Sequence, residues 1–482
     1  METKRISWSL PLASSGREIR RETIFLPAGK LASRKIDPPP AYTPPGTIGH
    51  EGARPLQTSP KSGVTAADAA EGSGPPEVRG NGCWRSGDAS IYDIIHKGEF
   101  LLDAYLDNSA TTRPSESVIE AMAKCMREGF YNPSSLYAPA LDSEKAMKAC
   151  RQTLAGVLGV KAEGIFFTSG GTEANNLAII GSVAAMHGTQ HVIVSAVEHP
   201  SVLEAFEHLK SLGHRVTVLP VAGNGQPDWD ALEKALEDAP ALVSCMQVNN
   251  ETGAVPDIDR LISMVREKAP KCLIHVDGVQ GFLRLPFDAR KVDLYTLSSH
   301  KLHGPKGVGA LYIRPGVRVI ARQMGGGQES MIRSGTENTP GIAGLHQAAK
   351  DLIALGDFRE ALYEKKRLLW TLISEAVPAA LINGPEIGEG APHILNISFP
   401  GVRGEVMLHA LEGVHVYVST GSACSSKKRK VSPVLISMGI SPDRAEGALR
   451  FSLSPHTTDD EIRYATEQIQ KLYAMLSRYK RR

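Results

Sequence analysis

Between residues 165 and 313, short apolar runs alternate with longer stretches that carry a helical pattern of apolar positions. The runs are 165–168, 191–195, 215–219, 242–248, 272–277, 293–297 and 308–313. They are rich in Val, Ile, Leu and aromatic residues and too short for helices, so each reads as a strand. The stretches between most of them, such as 172–187, 201–212, 228–238 and 258–268, read as helices. This alternation predicts an α/β domain with a mainly parallel sheet. After about residue 350 the texture changes to a smaller α+β part. It opens on a charged helix from Phe358 to about residue 377, just before Pro378, and closes on a long helix from Thr458 to about residue 479.

The first hundred residues differ from the rest. They hold Pro38-Pro-Pro-Ala-Tyr-Thr-Pro-Pro45 and a Gly/Ser/Pro-rich stretch at 72–76, with few apolar clusters. Such a segment buries too little surface to offset its ordering entropy and reads as disordered. The expected organisation is therefore an extension over 1–102, a large domain over 103–350 and a small C-terminal domain over 351–482. Ser and Arg in the first 36 residues resemble a transit peptide, whereas Glu2, Glu18 and Glu22 speak against one. No run approaches the length of a membrane-spanning helix. The net charge of +2 gives no global pull toward nucleic acid or a membrane surface. The 6 cysteines (83, 125, 150, 245, 272 and 424) form no CxxC pair and no zinc spacing with histidine, which fits free thiols in a reducing compartment such as the cytoplasm.

Open α/β sheets bind ligands beyond the carboxyl ends of their strands, so the residues after each run are the candidates. Thr168-Ser-Gly-Gly-Thr172 opens a helix and can cradle a phosphate, although Ser and Thr there also serve as ordinary caps. Glu198-His199-Pro200 offers a ring that can stack on a flat ligand or simply sit in a loop. Asn249-Asn250-Glu251, Asp277-Gly-Val-Gln280 and Ser298-Ser-His300-Lys301 follow in turn. A carboxylate at a buried strand end is costly unless it meets a cation. Phosphate nest, carboxylate, ring-stacking histidine, amides and lysine together match the needs of pyridoxal 5′-phosphate. His300 and His303 as a metal pair lack a third ligand, so no metal is expected.

Several segments in order resemble the cysteine desulfurases, which are class V aminotransferase-like enzymes. They are Tyr105-Leu-Asp-Asn-Ser-Ala-Thr-Thr112, 168–178, 248–253, 275–280, Ser298-Ser-His-Lys301 with Gly304-Pro-Lys-Gly307, 325–329 and Arg333-Ser-Gly-Thr336. Ser422-Ala-Cys424 and Leu449-Arg450-Phe-Ser resemble the segments that carry the family's catalytic cysteine and substrate arginine. The resemblance covers roughly 103–480. It implies a fold-type I, aspartate-aminotransferase-like domain that binds pyridoxal phosphate, and a small domain that carries the cysteine loop. It further implies that Lys301 forms the Schiff base and shuttles the α-proton, and that His199 stacks on the ring and acts in acid–base steps. Asp277 would pair with the pyridinium nitrogen, Gln280 and Asn250 with the phenolic oxygen and substrate side. Gly171, Thr172, Ser298 and His300 would bind phosphate, with Thr336 reaching the phosphate of a second subunit in a homodimer. Arg450 would hold the substrate carboxylate by a bidentate pair. Lys306 competes with Lys301 on spacing alone. Ser299 stands where the family often has glycine.

In that reading Cys424, in the run Val418-Ser-Thr-Gly-Ser-Ala-Cys424, is the nucleophile that takes sulfur from L-cysteine and leaves alanine. Lys427, Lys428, Arg429 and Lys430 then lower its pKa, attract an acidic acceptor protein, or form a solvated face. The acceptor would be an iron–sulfur scaffold or a tRNA-thiolation carrier. Two other readings compete: a selenocysteine lyase or other lyase on the same scaffold, and an inactive scaffold or regulatory protein. Cys245 and Cys272 in strands and Cys125 and Cys150 in helices read as structural, and Cys83, in the extension, as incidental.

Overall fold

The computed structural model describes residues 102–421 and 431–478. The extension before residue 102, the cysteine at 424 and the basic run 427–430 lie outside these. Among the described residues the strands are, in chain order, β1 (Ala104–Tyr105), β2 (Ile165–Thr168), β3 (His191–Ser195), β4 (Arg215–Leu219), β5 (Leu242–Ser244) and β6 (Leu273–Asp277). They continue as β7 (Leu294–Ser298), β8 (Gly309–Ile313), β9 (Leu381–Ile382), β10 (Ile394–Ser398), β11 (Val416–Tyr417) and β12 (Ala448–Ser452).

Seven strands form the main sheet in the order β2-β8-β7-β6-β5-β3-β4. All neighbours are parallel except where β8 pairs, antiparallel to both β2 and β7. The reason is local. The link 299–308 is too short for a helical crossover, so the chain folds straight back, whereas parallel neighbours need a crossover helix.

Alternate residues of a strand feed two different cores. Val192 and Val194 pack with the helices Gly171–Ala184 and Pro200–Ser211 on one face. Ile193 packs on the other face with the helices Ala138–Leu158, Ile258–Lys268 and Thr339–Ala354. A sheet covered on both sides needs apolar residues at every position, which is why its strands read as unbroken apolar runs.

A third core joins the helices Arg359–Ala376 and Asp459–Leu476 to β10 and β12. Ala104 and Leu106 belong to this core, and β1 pairs in parallel with β11, so the first described strand packs with the last third of the chain. The helix Asp459–Leu476 starts on a capping box, in which Thr458 and Glu461 satisfy each other's backbone amides.

The run 242–248 is shorter as a strand than expected. Cys245 and Gln247 still donate to the carbonyls of His275 and Asp277, but the amide of Met246 turns to the Glu198 carboxyl at 2.6 Å. Asn249 Oδ1 then accepts from the amides of Glu251 and Thr252 and draws the chain into a turn. Cys245 consequently lies just past β5, and Cys272 just before β6, rather than inside them. Cys125 and Cys150 lie in helices. Burial pushes the thiols of Cys150, Cys245 and Cys272 up, which keeps them protonated and inert.

Candidate active site

The carboxyl ends of β2, β3, β6 and β7 surround a cavity of about 310 Å³. Gly171, Thr172, His199, Asn250, Asp277, Gln280, Ser298, His300, Lys301 and Arg450 all line it. Thr336 does not. It is exposed, at the end of a loop that the Arg333–Glu173 ion pair (2.9 Å) ties to the start of the helix Gly171–Ala184. Lys306 is also exposed and outside the lining, so geometry separates it from Lys301. His303 turns its Nδ1 to the Arg113 carbonyl at 2.9 Å and does not line the cavity. Among the described residues no group of three or more metal-ligating side chains converges.

The phosphate end is built by close approach. Gly170 has φ of 150°, a conformation that side chains rarely adopt, and Gly171 begins the helix. A Cβ on Gly171 would stand 2.9 Å from Val279 Cγ2 and 3.5 Å from Ser298 Cβ. The helix start therefore abuts β7 without a side chain between them, and its first-turn amides face the cavity end with the positive pole of the helix dipole. Ser298 Oγ is buried here and has no hydrogen-bond partner among the described residues. A buried hydroxyl left unsatisfied beside free helix amides is what a bound phosphate would complete. His300 Nδ1 faces Thr111 Oγ1 at 3.3 Å. Burial, helped by the nearby charge of Lys301, pulls its pKa down to about 4 and leaves the ring neutral.

Asp277, at the end of β6, is buried and held by two neutral donors. Val279 N gives to Oδ1 at 2.9 Å and Asn175 Nδ2 to Oδ2 at 2.8 Å. Among the described residues no side-chain cation pairs with this carboxylate, and a pyridinium nitrogen fits the role. Asn175 gives its other amide hydrogen to Ser201 Oγ at 2.9 Å, and Ser201 Oγ meets His199 Nδ1 at 2.8 Å. The Ser201 amide also donates to His199 Nδ1, at 3.1 Å. Nδ1 is therefore an acceptor, and the proton of the neutral ring sits on Nε2. Burial lowers the His199 pKa; Asp277 opposes the shift and Lys301 adds to it.

Lys301 follows β7. Its ammonium donates to the carbonyls of Ser109 and Ala110 at 2.6 and 2.7 Å. Those carbonyls come from the start of the described chain, fixed by the Ser109 amide on Ser452 Oγ at 2.8 Å. Arg450, on β12, is buried. Nη2 pairs with Asp107 at 2.6 Å, Nη1 donates to the Asn250 carbonyl at 2.9 Å, and Nε has no partner among the described residues. Two acids also line the cavity. Burial, reinforced by Asp277, raises the pKa of Glu198 well above the ordinary carboxyl value, and burial raises that of Glu251.

Asn175, Ser201, Glu198, Glu251 and Asp107 were not singled out by the sequence reading. Asn175 alone carries a signal, because asparagine is disfavoured inside helices unless its side chain has work there. The Ser109 and Ala110 carbonyls are backbone atoms and leave no trace in residue type.

Residues 104–464 match the family model for the aminotransferase class-V family. The chain is 38% identical over 376 residues to a cysteine desulfurase of Trichormus azollae, covering 77% of this chain and 93% of the relative. It is 39% identical over 380 residues to the cysteine desulfurase IscS of Dictyoglomus turgidum, covering 78% of this chain and 95% of the relative. Among solved structures, a NifS-like protein superposes with TM-score 0.72 at 35% identity, covering 78% of this chain and all (100%) of that one. SspA in complex with cysteine superposes with TM-score 0.65 at 30% identity, covering 74% of this chain and 100% of that one.

Proposed function

This chain belongs to the class-V aminotransferase family, among its pyridoxal phosphate-dependent cysteine desulfurases, and we propose that it moves sulfur from L-cysteine to Cys424 and onward to an acceptor protein. One observation carries the assignment of roles: Lys301, Asp277, His199 and Arg450 converge on one cavity whose far end holds a buried, unsatisfied Ser298 hydroxyl at a helix start.

Gly171, Thr172, Ser298 and His300 would hold the cofactor phosphate, Asp277 the ring nitrogen, and Gln280 and Asn250 the phenolic and substrate side. Lys301 would hold the cofactor covalently. Bound there, pyridoxal phosphate supplies an electron sink next to the substrate Cα. Arg450 binds the substrate carboxylate through its guanidinium, exchanging its bond to Asp107 for the ligand. Lys301 Nζ, released from the Ser109 and Ala110 carbonyls, moves the α-proton. His199, with Nδ1 accepting from the Ser201 amide and its proton on Nε2, would act as a proton donor.

The Cys424 thiolate attacks the substrate sulfur. The S–S bond forms as the substrate Cβ–S bond breaks, and the carbon fragment takes up a proton and leaves as alanine. The thiol is consumed as an enzyme persulfide, and no external oxidant is needed. The run Lys427, Lys428, Arg429 and Lys430 favours the thiolate and supports an acceptor with an acidic surface, such as an iron–sulfur scaffold or a tRNA-thiolation carrier. Few, scattered cysteines support a reducing compartment such as the cytoplasm.

A homodimer follows from the same reading. Thr336 is exposed outside its own cavity, in keeping with a place on the phosphate of a second copy.

The test is the product formed from L-cysteine with pyridoxal phosphate and a reductant. Alanine in step with sulfide is expected, and is lost in Lys301→Ala. Pyruvate with sulfide would mean β-elimination and would overturn the reading.

A further inference from the structure

Arg284 is 6% exposed, yet among the described residues no carboxylate pairs with it. Burying a guanidinium without a counter-charge is expensive, and proteins keep such a group where its hydrogen bonds hold something in place. Burial pulls its pKa down to about 10.

Its fork closes on two site residues at once. Nη2 donates to the main-chain carbonyl of Lys301. Nη1 donates to Gln280 twice, to Oε1 at 3.3 Å and to the carbonyl at 3.4 Å. Beyond Arg284 the two residues meet again. Gln280 Nε2 donates to the Ser109 carbonyl at 2.9 Å, and Lys301 Nζ donates to the same oxygen at 2.6 Å. Arg284 itself lies outside the active-site lining. It faces a second cavity, of about 290 Å³, with Phe282, Phe287, Tyr295 and Phe358 in its walls.

We propose that Arg284 is a positioning residue that locks the main chain of Lys301 and the side chain of Gln280 into one unit at the mouth of the cofactor site. This rests on Lys301 being the lysine that holds the cofactor. Three acceptors on two residues call for a planar fork; an ammonium in its place reaches one or two of them and sets no common plane. Satisfying buried carbonyls could be done by any donor. Holding Lys301 and Gln280 in mutual register could not, and that difference can be measured.

The experiment compares the full-length wild type with Arg284→Gln and Arg284→Lys. It follows the rate at which added pyridoxal phosphate becomes covalently held by the cofactor-free protein, together with kcat and KM for L-cysteine and the melting temperature. In Arg284→Gln we expect covalent capture and kcat each to fall about 10-fold or more, the scale of a small misplacement of a reacting group. KM should change little, because Arg450 is untouched, and Arg284→Lys should recover capture only in part. Capture and kcat equal to wild type in both variants, with only the melting temperature lowered, would make Arg284 a structural cap and overturn the proposal. If Arg284→Gln does not fold, Arg284→Lys decides alone: capture as fast as wild type overturns the proposal. Capture reads Lys301 whatever the substrate is. A wild type that makes no alanine therefore counts against the desulfurase reading, and leaves the Arg284 outcome to be judged on capture.

Discussion

Asn175 donates to Asp277 Oδ2 at 2.8 Å and, with its other amide hydrogen, to Ser201 Oγ at 2.9 Å, joining Asp277 through Ser201 to His199. Among the described residues Asp277 has one other donor, the Val279 amide, so Asn175 is half of what keeps this buried carboxylate satisfied there. Hydrogen bonds to charged groups are among the stronger ones.

Replacing Asn175 with Ala should therefore weaken pyridoxal phosphate binding and lower kcat together. A loss of about 2 kcal/mol, roughly 30-fold, is the scale for one charge-assisted hydrogen bond. Asn175→Asp should do worse, since it sets a second carboxylate against Asp277. Equilibrium titration of the cofactor into each variant, with kcat at saturating cofactor, checks both.

Glu198 shares the cavity with Asp277, and burial, reinforced by Asp277, pushes its pKa well above the ordinary carboxyl value and favours the protonated form. The folded-state pKa is raised above the unfolded 4.5, so the folded protein keeps a proton there that the unfolded chain releases. Relative to a permanently neutral side chain, wild type must lose stability as pH climbs above that unfolded value. Glu198→Gln should melt with wild type near about pH 5 and above it near about pH 9, where the acid is under most pressure to ionise. Parallel melting curves across that range would mean that Glu198 is already ionised.

Much of the candidate site was legible because the residues that line the cavity follow directly on apolar strands. Asp277, Ser298 and Lys301 each stand at the end of a run that the sheet buries on both faces, and Thr168-Ser-Gly-Gly-Thr172 announces a helix start. The supports were not legible. Asn175 and Ser201 act through a third residue, and Ser109 acts through its carbonyl. Arg284 reads in sequence as one more surface arginine, because nothing local indicates that β6 and the Lys301 turn will enclose it. The antiparallel place of β8 was hidden for another reason: a strand's direction depends on how long its connection is, not on its own residues.

Glu251 touches residues on both sides of the segment 422–430. Its Oε2 accepts from Ser432 Oγ at 2.5 Å, and a Cβ on Gly421 would lie 2.9 Å from the same oxygen. Gly421 also has φ of 86°, which other residues adopt at a cost of about 1 kcal/mol or more. Gly421→Ala should thus slow persulfide formation on Cys424 while leaving cofactor binding as it was. Rapid quench with a thiol-trapping reagent, beside a cofactor titration, separates the two effects.

The most direct measurement is the mass of the tryptic peptide bearing Cys424 after one turnover with L-cysteine and no reductant. One added sulfur atom on Cys424, with one alanine released per site and neither product in Lys301→Ala, is the predicted result. An unmodified Cys424 with turnover intact would contradict the account, because sulfur would then leave without passing through this residue.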